Sequence, residues 1–253
     1  MKHLPFLKLV YRGLLTGMPM FTYNPITKNN LHSPFTVKPY STYINYKLNN
    51  NQVNWLNDYI HEYNKNIELV PIQLAKYDNP EYYLSINIYN ATSPIMLTNK
   101  DIIRCEINTY IKMKDGTLGT LILDYVSNTL SMDPINIFKK NINQIKFYND
   151  LNINILYVNS IEDDILLDFN YKITNDNFYI SNKLIEFTDL AFYKNGIADK
   201  VYYDSTLGSA VTKYGEIILP TIFKYKNMEF LKPDSVFYFD KSLNFIGSMW
   251  NNL

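Results

Sequence analysis

The stretch "DIIRCEINTYIKMKDGTLGTLILDYVS", residues 101–127, is the most informative part of the sequence about the fold, because its pattern predicts two strands separated by a tight turn. In its first half, apolar residues such as Ile103, Cys105 and Ile107 alternate with polar ones, which is the pattern of a β-strand. The tripeptide at residues 114–116 predicts a hairpin turn in which Gly116 takes a positive φ. The second half is apolar on both faces apart from Asp124. The stretch therefore predicts an antiparallel hairpin within a mainly β domain.

The polar side chains of the first strand share one face: Arg104, Glu106, Asn108, Tyr110 and Lys112. One interpretation is a solvent-facing row, since half-buried strands alternate in this way. The other is a row that lines a cavity, in which Arg104 and Glu106 bind or polarise a small polar ligand. The nearly apolar partner strand favours the second interpretation, because such a hairpin is not fully solvated on either face.

Most of the chain after residue 71 alternates between short strands and turns. Examples are "EYYLSINIYN" at residues 81–90, "INILYVNS" at 153–160, and the hairpin "SVFYFDKSLNFIGSMW" at 235–250, which turns at residues 240–242. One clear helix is predicted at residues 49–66, where Val53, Leu56 and Ile60 recur at helical spacing and Asn50 or Asn51 caps the start. Many strands and few helices indicate a mainly β (α+β) fold, a barrel or sandwich with added helices.

The N-terminal residues 1–21 resemble a targeting signal, but Lys8 and Arg12 interrupt the apolar run. We predict a short helix that packs on the body of the protein; the alternative is a helix on a membrane surface. Residues 22–39 are rich in proline and asparagine, which predicts an irregular connector. Residues 1–39 are therefore treated as an appended segment and residues 40–253 as one domain.

Composition excludes several classes of protein. The chain has 24 lysines and arginines against 24 aspartates and glutamates, which argues against a dedicated nucleic-acid binder. The single cysteine, Cys105, fits a cytoplasmic protein and lies among isoleucines, which predicts a core thiol. The three histidines are far apart in sequence, so no zinc site or other metal site is predicted.

A second informative stretch is "SMDPINIFKKNINQIKFY", residues 131–148, which predicts an amphipathic helix. Its cap and first turn are Asp133 and Pro134, and its apolar seam is Ile135, Phe138, Ile142 and Ile145. Lys140 lies nearly opposite this seam, and Lys139 lies on its flank. Paired lysines are usually a solvated face. The alternative is a nucleophile, because desolvation and a second cation both favour a neutral lysine.

The order of the elements from "YSTYINYKL" (residues 40–48) through "RCEINTY", "GTLILDYVSN" and "FKK" resembles the acetoacetate decarboxylase family. The similarity covers residues 40 to 225. It implies a closed, cone-like antiparallel β-barrel with a few peripheral helices. It also implies that Lys139 forms a Schiff base with a keto substrate, that Lys140 depresses the pKa of Lys139, and that Glu106 positions the substrate or exchanges protons. Tyr125 and Asn128 match the end of a family strand.

The sequence also departs from the family pattern. The segment before the lysines has no Gly-Arg-Glu, and Phe138 replaces the proline before the pair. Ser85 lies near the position of a second family glutamate, and Lys38 near that of an arginine. These departures favour a barrel that has kept the fold without decarboxylation.

Two functions are therefore carried forward. The first is a lysine-dependent lyase, decarboxylase-like, acting on a small keto acid or related carbonyl compound. Its catalytic residues are Lys139, Lys140 and Glu106, and its substrate-binding residues are Arg104, Asn108, Tyr125 and Asn128. The second is a non-catalytic β-barrel that binds a small apolar or amphipathic ligand. Either way we expect a cytoplasmic homo-oligomer with a small-molecule substrate or ligand, no cofactor, no nucleic acid and no stable membrane insertion.

Overall fold

The structure is a computed structural model that describes residues 23–24, 29–92, 102–127, 144–150, 153–159, 165–181, 184, 186–187, 190–193, 197–203, 212–249 and 251–252. In this part of the chain the fold is mainly β, with one helix, α1, at Asn50–His61. The strands before the middle of the chain are β1 (Tyr23–Asn24), β2 (Asn29–Val37), β3 (Thr42–Lys47), β4 (Ile67–Leu69), β5 (Tyr83–Thr92), β6 (Ile102–Met113), β7 (Leu118–Ser127) and β8 (Gln144–Asp150). The later strands are β9 (Ile153–Asn159), β10 (Ile165–Asn177), β11 (Leu190–Tyr193), β12 (Ile197–Tyr203), β13 (Thr212–Tyr225), β14 (Met228–Phe230), β15 (Ser235–Phe239), β16 (Leu243–Met249) and β17 (Asn251–Asn252).

The hairpin predicted at residues 101–127 is confirmed as β6 and β7, which pair antiparallel. Gly116 in its turn has φ of 91°, a conformation that costs other residues energy but suits glycine. The side chain of Asp115 accepts a hydrogen bond of 2.9 Å from the backbone N–H of Thr117 and closes the turn. The register shifts by one residue between Ile107 and Asn108, as in a β-bulge.

The predicted helix is also confirmed, although its cap is Asn49, one residue before Asn50 and two before Asn51, the two predicted caps. Asn49 Oδ1 accepts a hydrogen bond from the Gln52 N–H at 3.0 Å, and Gln52 Oε1 accepts one from the Asn49 N–H at 2.9 Å. This reciprocal pair is a capping box. Leu56 and Ile60 are the buried residues of the helix, as its apolar spacing predicts.

The strands form one large mixed sheet. Strand β5 pairs with β2, β3 and β6, and β6 pairs with β4, β5 and β7. Strand β13 pairs with β10, β14 and β15, and β10 continues through β9 to β8. Strands β7 and β11 run parallel, whereas the other pairs are antiparallel.

The prediction of a closed antiparallel β-barrel with a few peripheral helices is therefore wrong. The sheet is mixed, several of its strands pair with more than two others, and the described residues contain a single helix. The physical reason is that alternation of apolar residues predicts strands and local hairpins, but it does not encode which distant strands pair.

Three local predictions also differ from the structure. The described part of the predicted connector contains β2, which pairs with β16 and β5. The predicted helix at residues 131–148 ends at the latest before β8, because residues from Gln144 onward form a strand. Strands β15 and β16 were predicted to pair with each other as a hairpin, but β15 pairs with β3 and β13 whereas β16 pairs with β2 and β12.

The core has two main parts, one on each face of β5 and β6. On one face Ile86 and Ile107 pack in a cluster with Leu56 and Ile60 of α1. On the other face Tyr83 and Tyr110 join a cluster with Phe178, Phe187 and Phe237, among others. Strands β5 and β6 are thus buried on both faces, which places their polar side chains inside the protein. No helix in the described residues is long and apolar enough to cross a membrane.

Candidate functional site

The polar face of β6 is buried over most of its length. Glu106 is 8% exposed, Asn108 3% and Tyr110 1%, and only Lys112, near the end of the strand, is exposed. The interpretation of this row as a solvent-facing surface is therefore wrong. Charged residues are almost never fully buried unless they are paired. The polar contacts of Glu106 therefore identify the groups that stabilise its charge on this face.

The register of the sheet surrounds Glu106 with polar groups from three strands. Asn87 of β5 and Tyr125 of β7 lie directly opposite it, and Tyr89 of β5 lies opposite Arg104. Residues two apart on one strand share a face, which adds Asn108. We call this group the Glu106 cluster; its members are Asn87, Tyr89, Arg104, Glu106, Asn108 and Tyr125.

The carboxylate of Glu106 has three polar contacts within the cluster. Oε1 accepts a hydrogen bond of 2.9 Å from the Tyr89 hydroxyl and lies 2.6 Å from Arg104 Nε. Oε2 accepts a longer bond of 3.4 Å from Asn108 Nδ2. The positive charge of Arg104 balances the negative charge of Glu106, so the pair as a whole carries no net charge into the interior.

Arg104 also lies against an aromatic ring. Its guanidinium carbon is 4.2 Å from the ring centroid of Tyr125, a cation–π distance. The Tyr125 ring on β7 and the Glu106 carboxylate on β6 together hold the guanidinium on the polar face of β6. The cluster thus brings together a cation, an anion and two phenols.

Two acceptor atoms of the cluster are buried without a hydrogen-bond partner among the described residues: Asn87 Oδ1 and Asn108 Oδ1. The assignment for Asn108 follows from chemistry, because a carboxylate only accepts and so the Nδ2 amide must face Glu106. The oxygen of the same amide is therefore left unsatisfied. Buried acceptors are normally paired, and an unpaired one calls for an explanation such as an ordered water, an ion or a bound ligand.

A neighbouring network of polar side chains differs from the Glu106 cluster, because its members are paired with one another by hydrogen bonds. Ser85 donates to Asn45 Oδ1 at 2.7 Å and lies 3.2 Å from the Tyr110 hydroxyl, and Asn45 Nδ2 donates to Ser235 at 3.2 Å. Burial raises the pKa of Tyr110 to about 12, and the hydrogen bond with Ser85 opposes that rise. This network joins β3, β5, β6 and β15, and we interpret it as structural.

Cys105 lies on the opposite face of β6 and is fully buried in the core that includes α1. The prediction of a core thiol is confirmed. Burial raises the pKa of this thiol, and the charge of Glu106 raises it further. A thiol that stays protonated is a poor nucleophile, so Cys105 is excluded as a reactive group.

The structure brings together four of the predicted site residues, Arg104, Glu106, Asn108 and Tyr125. The other three, Lys139, Lys140 and Asn128, lie outside the described residues. Sequence reasoning missed Asn87 and Tyr89. The signal was available in "EYYLSINIYN", where Tyr83, Ser85, Asn87 and Tyr89 alternate with Leu84, Ile86 and Ile88 and so share one face.

A concave feature lies beside α1, away from the Glu106 cluster. Its volume is about 210 Å³, open solvent included, and it is lined by Tyr59, Ile60, Tyr63, Asn64, Ile67, Leu121 and Leu123. Its lining holds no charged group, so it offers no acid, base or cation for chemistry. The Glu106 cluster is the stronger candidate for that reason.

In the described part of the chain, no three histidine, cysteine, aspartate or glutamate side chains are grouped so that they could hold a metal ion. Comparison of the whole chain with protein-family models and with curated proteins found no match. The case for a function therefore depends on the chemistry of the Glu106 cluster and on the sequence resemblance.

Proposed function

We propose that the protein is a lysine-dependent lyase that binds a small carbonyl compound, such as a keto acid, against the Glu106 cluster. The observation that carries the proposal is the buried Glu106–Arg104 pair, which Tyr89 and Asn108 hold in a defined geometry. A carboxylate and a guanidinium are expensive to bury inside a protein, and their retention on this face is the reason for assigning it a functional role. The resemblance to the acetoacetate decarboxylase family supplies the reaction type.

In the proposed reaction the neutral amine of Lys139 attacks the substrate carbonyl, and loss of water leaves an iminium. In a 3-keto acid the carboxylate lies on the carbon next to the iminium carbon. The electron pair of the C–C bond to the carboxylate therefore moves into the iminium as CO₂ departs, which forms an enamine. Protonation of the enamine carbon and hydrolysis of the resulting iminium release the product and free Lys139. Glu106 is suited to exchange the proton, and Arg104 to orient the substrate carboxylate.

Borohydride trapping tests the covalent step. The protein is incubated with a 3-keto acid and sodium cyanoborohydride, and the modified peptide is identified by mass spectrometry. We expect a reduced adduct on Lys139 that is absent in Lys139→Arg and retained in Lys112→Arg, a matched change at an exposed lysine on β6. Lys140→Met should move adduct formation to higher pH, because a neighbouring cation favours the neutral amine of Lys139.

The absence of any adduct on Lys139 at saturating keto acid would overturn the lyase proposal. So would an adduct spread evenly over exposed lysines, since that pattern indicates unspecific amine chemistry. Glu106→Gln provides a second readout: we expect turnover to fall at least a hundredfold in protein that circular dichroism shows to be folded.

The second candidate function is binding without catalysis. It is favoured by the unpaired oxygens of Asn87 and Asn108, which a bound molecule satisfies without any lysine. Isothermal titration calorimetry separates the two candidates, because a binder retains its affinity in Lys139→Arg and yields no trapped adduct. For either function we propose a cytoplasmic homo-oligomer that uses a small-molecule ligand and neither nucleic acid nor a cofactor.

A further inference from the structure

The Glu106 cluster presents three hydrogen-bond acceptors on one buried patch. Asn87 lies opposite Glu106 across the β5–β6 ladder, and Asn108 lies two residues along β6 on the same face. Asn87 Oδ1 and Asn108 Oδ1 have no partner among the described residues, and Glu106 Oε2 accepts only the long 3.4 Å bond. Asn87 is 9% exposed and Asn108 3%, so bulk water does not hydrate them as it would at the surface.

Such a patch selects its ligand by chemistry. An unsatisfied buried acceptor lowers the stability of the folded protein, and a ligand that supplies a donor removes that penalty. An analogue without the donor leaves the acceptor unpaired in the complex, so a site of this kind discriminates strongly between the two ligands.

The charge of the cluster decides between donor types. Arg104 Nε lies 2.6 Å from Glu106 Oε1, so the carboxylate is already neutralised. An ammonium ligand would gain little from a neutralised carboxylate and would be repelled by the nearby guanidinium. Hydroxyl groups donate without adding charge, and they are therefore the donors that this patch favours.

We propose that the Glu106 cluster recognises a compound with two hydroxyl groups, one donating to Asn87 Oδ1 and the other to Asn108 Oδ1. This inference rests on the proposed function, which places the binding site at the Glu106 cluster, and it adds the chemical class of the substrate. Combined with that function, it specifies a keto acid that carries hydroxyl groups beyond its carbonyl.

Two matched pairs of probes test the inference. The first pair is 4,5-dihydroxy-3-oxopentanoate and 3-oxopentanoate, which share the carbonyl. The second pair is 4,5-dihydroxypentanoate and pentanoate, which lack it and so cannot form a Schiff base. We expect calorimetry to give a dissociation constant at least tenfold lower for the dihydroxy member of each pair.

Variants locate this preference in the cluster. Asn87→Leu and Asn108→Leu each remove one acceptor, and we expect each to reduce the preference for the dihydroxy probe at least fivefold. Asn87→Leu is the cleaner test, because no described hydrogen bond is lost with the Asn87 oxygen. The matched control is Thr109→Val, which removes a buried hydroxyl bonded to the Tyr83 carbonyl and should keep the preference. Circular dichroism confirms that each variant is folded.

The outcomes separate this inference from the proposed function. A dihydroxy preference in both pairs without a borohydride adduct supports the inference and overturns the lyase. An adduct that forms equally with both keto acids supports the lyase and overturns the inference. Equal affinity within both pairs, no binding of any probe, or a preference that Asn87→Leu leaves intact also overturns the inference.

Discussion

Arg104 Nε lies 2.6 Å from Glu106 Oε1 on the polar face of β6, and the two side chains are 11% and 10% exposed. Residues two apart on a strand share a face, so the backbone itself holds the pair together. A surface ion pair contributes little to stability, whereas a buried one matters because each partner prevents the other from being an uncompensated charge. The pair is therefore both a structural requirement of this face and the electrostatic centre of the proposed site.

The first prediction concerns this pair. Arg104→Met leaves Glu106 as a buried charge without its cation, and Glu106→Gln leaves the guanidinium without its anion. We expect each single change to lower the free energy of unfolding by about 3–5 kcal/mol. The double variant should lose less than the sum of the two, since it buries no charge. Urea denaturation of the four proteins measures the coupling; losses that simply add would show that the two groups do not depend on each other.

The polar cluster could be predicted from the sequence only in part. Alternation in "RCEIN" correctly places Arg104, Glu106 and Asn108 on one face, because side-chain direction follows from strand geometry alone. Burial of that face could not be read from the same residues, since solvated and buried polar rows alternate alike. Asn87 and Tyr89 are brought to Glu106 by the register of β5 against β6, which depends on packing of the whole sheet.

The second prediction contrasts two buried asparagines. Both the oxygen and the nitrogen of the Asn45 side-chain amide have hydrogen-bond partners, whereas the amide oxygen of Asn87 has none among the described residues. Asn45→Leu removes partners from Ser85 and Ser235, and we expect the free energy of unfolding to fall by roughly 1–3 kcal/mol. Asn87→Leu, measured without ligand, replaces an unsatisfied acceptor by an apolar group and should not lower stability. Chemical denaturation of the two variants at one pH compares them directly; an equal loss would mean that Asn87 is satisfied after all.

The third prediction concerns the capping box of α1. Asn49→Ala removes the acceptor for the Gln52 N–H, and we expect a loss of about 1 kcal/mol in the free energy of unfolding. Asn50→Ala is the matched control at the next position, which is also exposed, and it should change stability by less than about 0.5 kcal/mol. Thermal denaturation followed by circular dichroism measures both. The reverse order of effects would place the cap at Asn50, as one of the predicted alternatives has it.

The helix shows why local features were predicted well and distant ones were not. Apolar spacing and a polar cap lie within α1 itself, and the turn at Gly116 likewise depends on adjacent residues. The parallel contact of β7 with β11 joins segments about 70 residues apart, and no local pattern specifies it. The apolar seam that predicted a helix through Ile145 failed because residues 144–150 also suit a strand, and pairing with β9 decides the outcome.

The fourth prediction concerns the alkaline stability of the protein. Burial raises the pKa of Tyr110 to about 12, above its ordinary value of about 10. The folded state therefore holds the phenol proton more tightly than the unfolded state, so this contribution is complete below pH 10 and is lost as the pH rises towards 12. Tyr110→Phe has no phenol at this position and so lacks this pH-dependent contribution to the free energy of unfolding. The stability difference between wild type and variant should shrink by roughly 1.4 kcal/mol between pH 8 and pH 11.

Urea titrations of both proteins across this range measure that change, and the remaining tyrosines cancel because both proteins contain them. Tyr77→Phe is the control, since the side chain of Tyr77 is 82% exposed, and its difference from wild type should stay constant with pH. A constant difference for Tyr110→Phe as well would show that the phenol ionises as easily in the folded protein as in the unfolded chain. Tyr110 would then be hydrated, and the closed polar network that joins it to Ser85 and Asn45 could not exist as described.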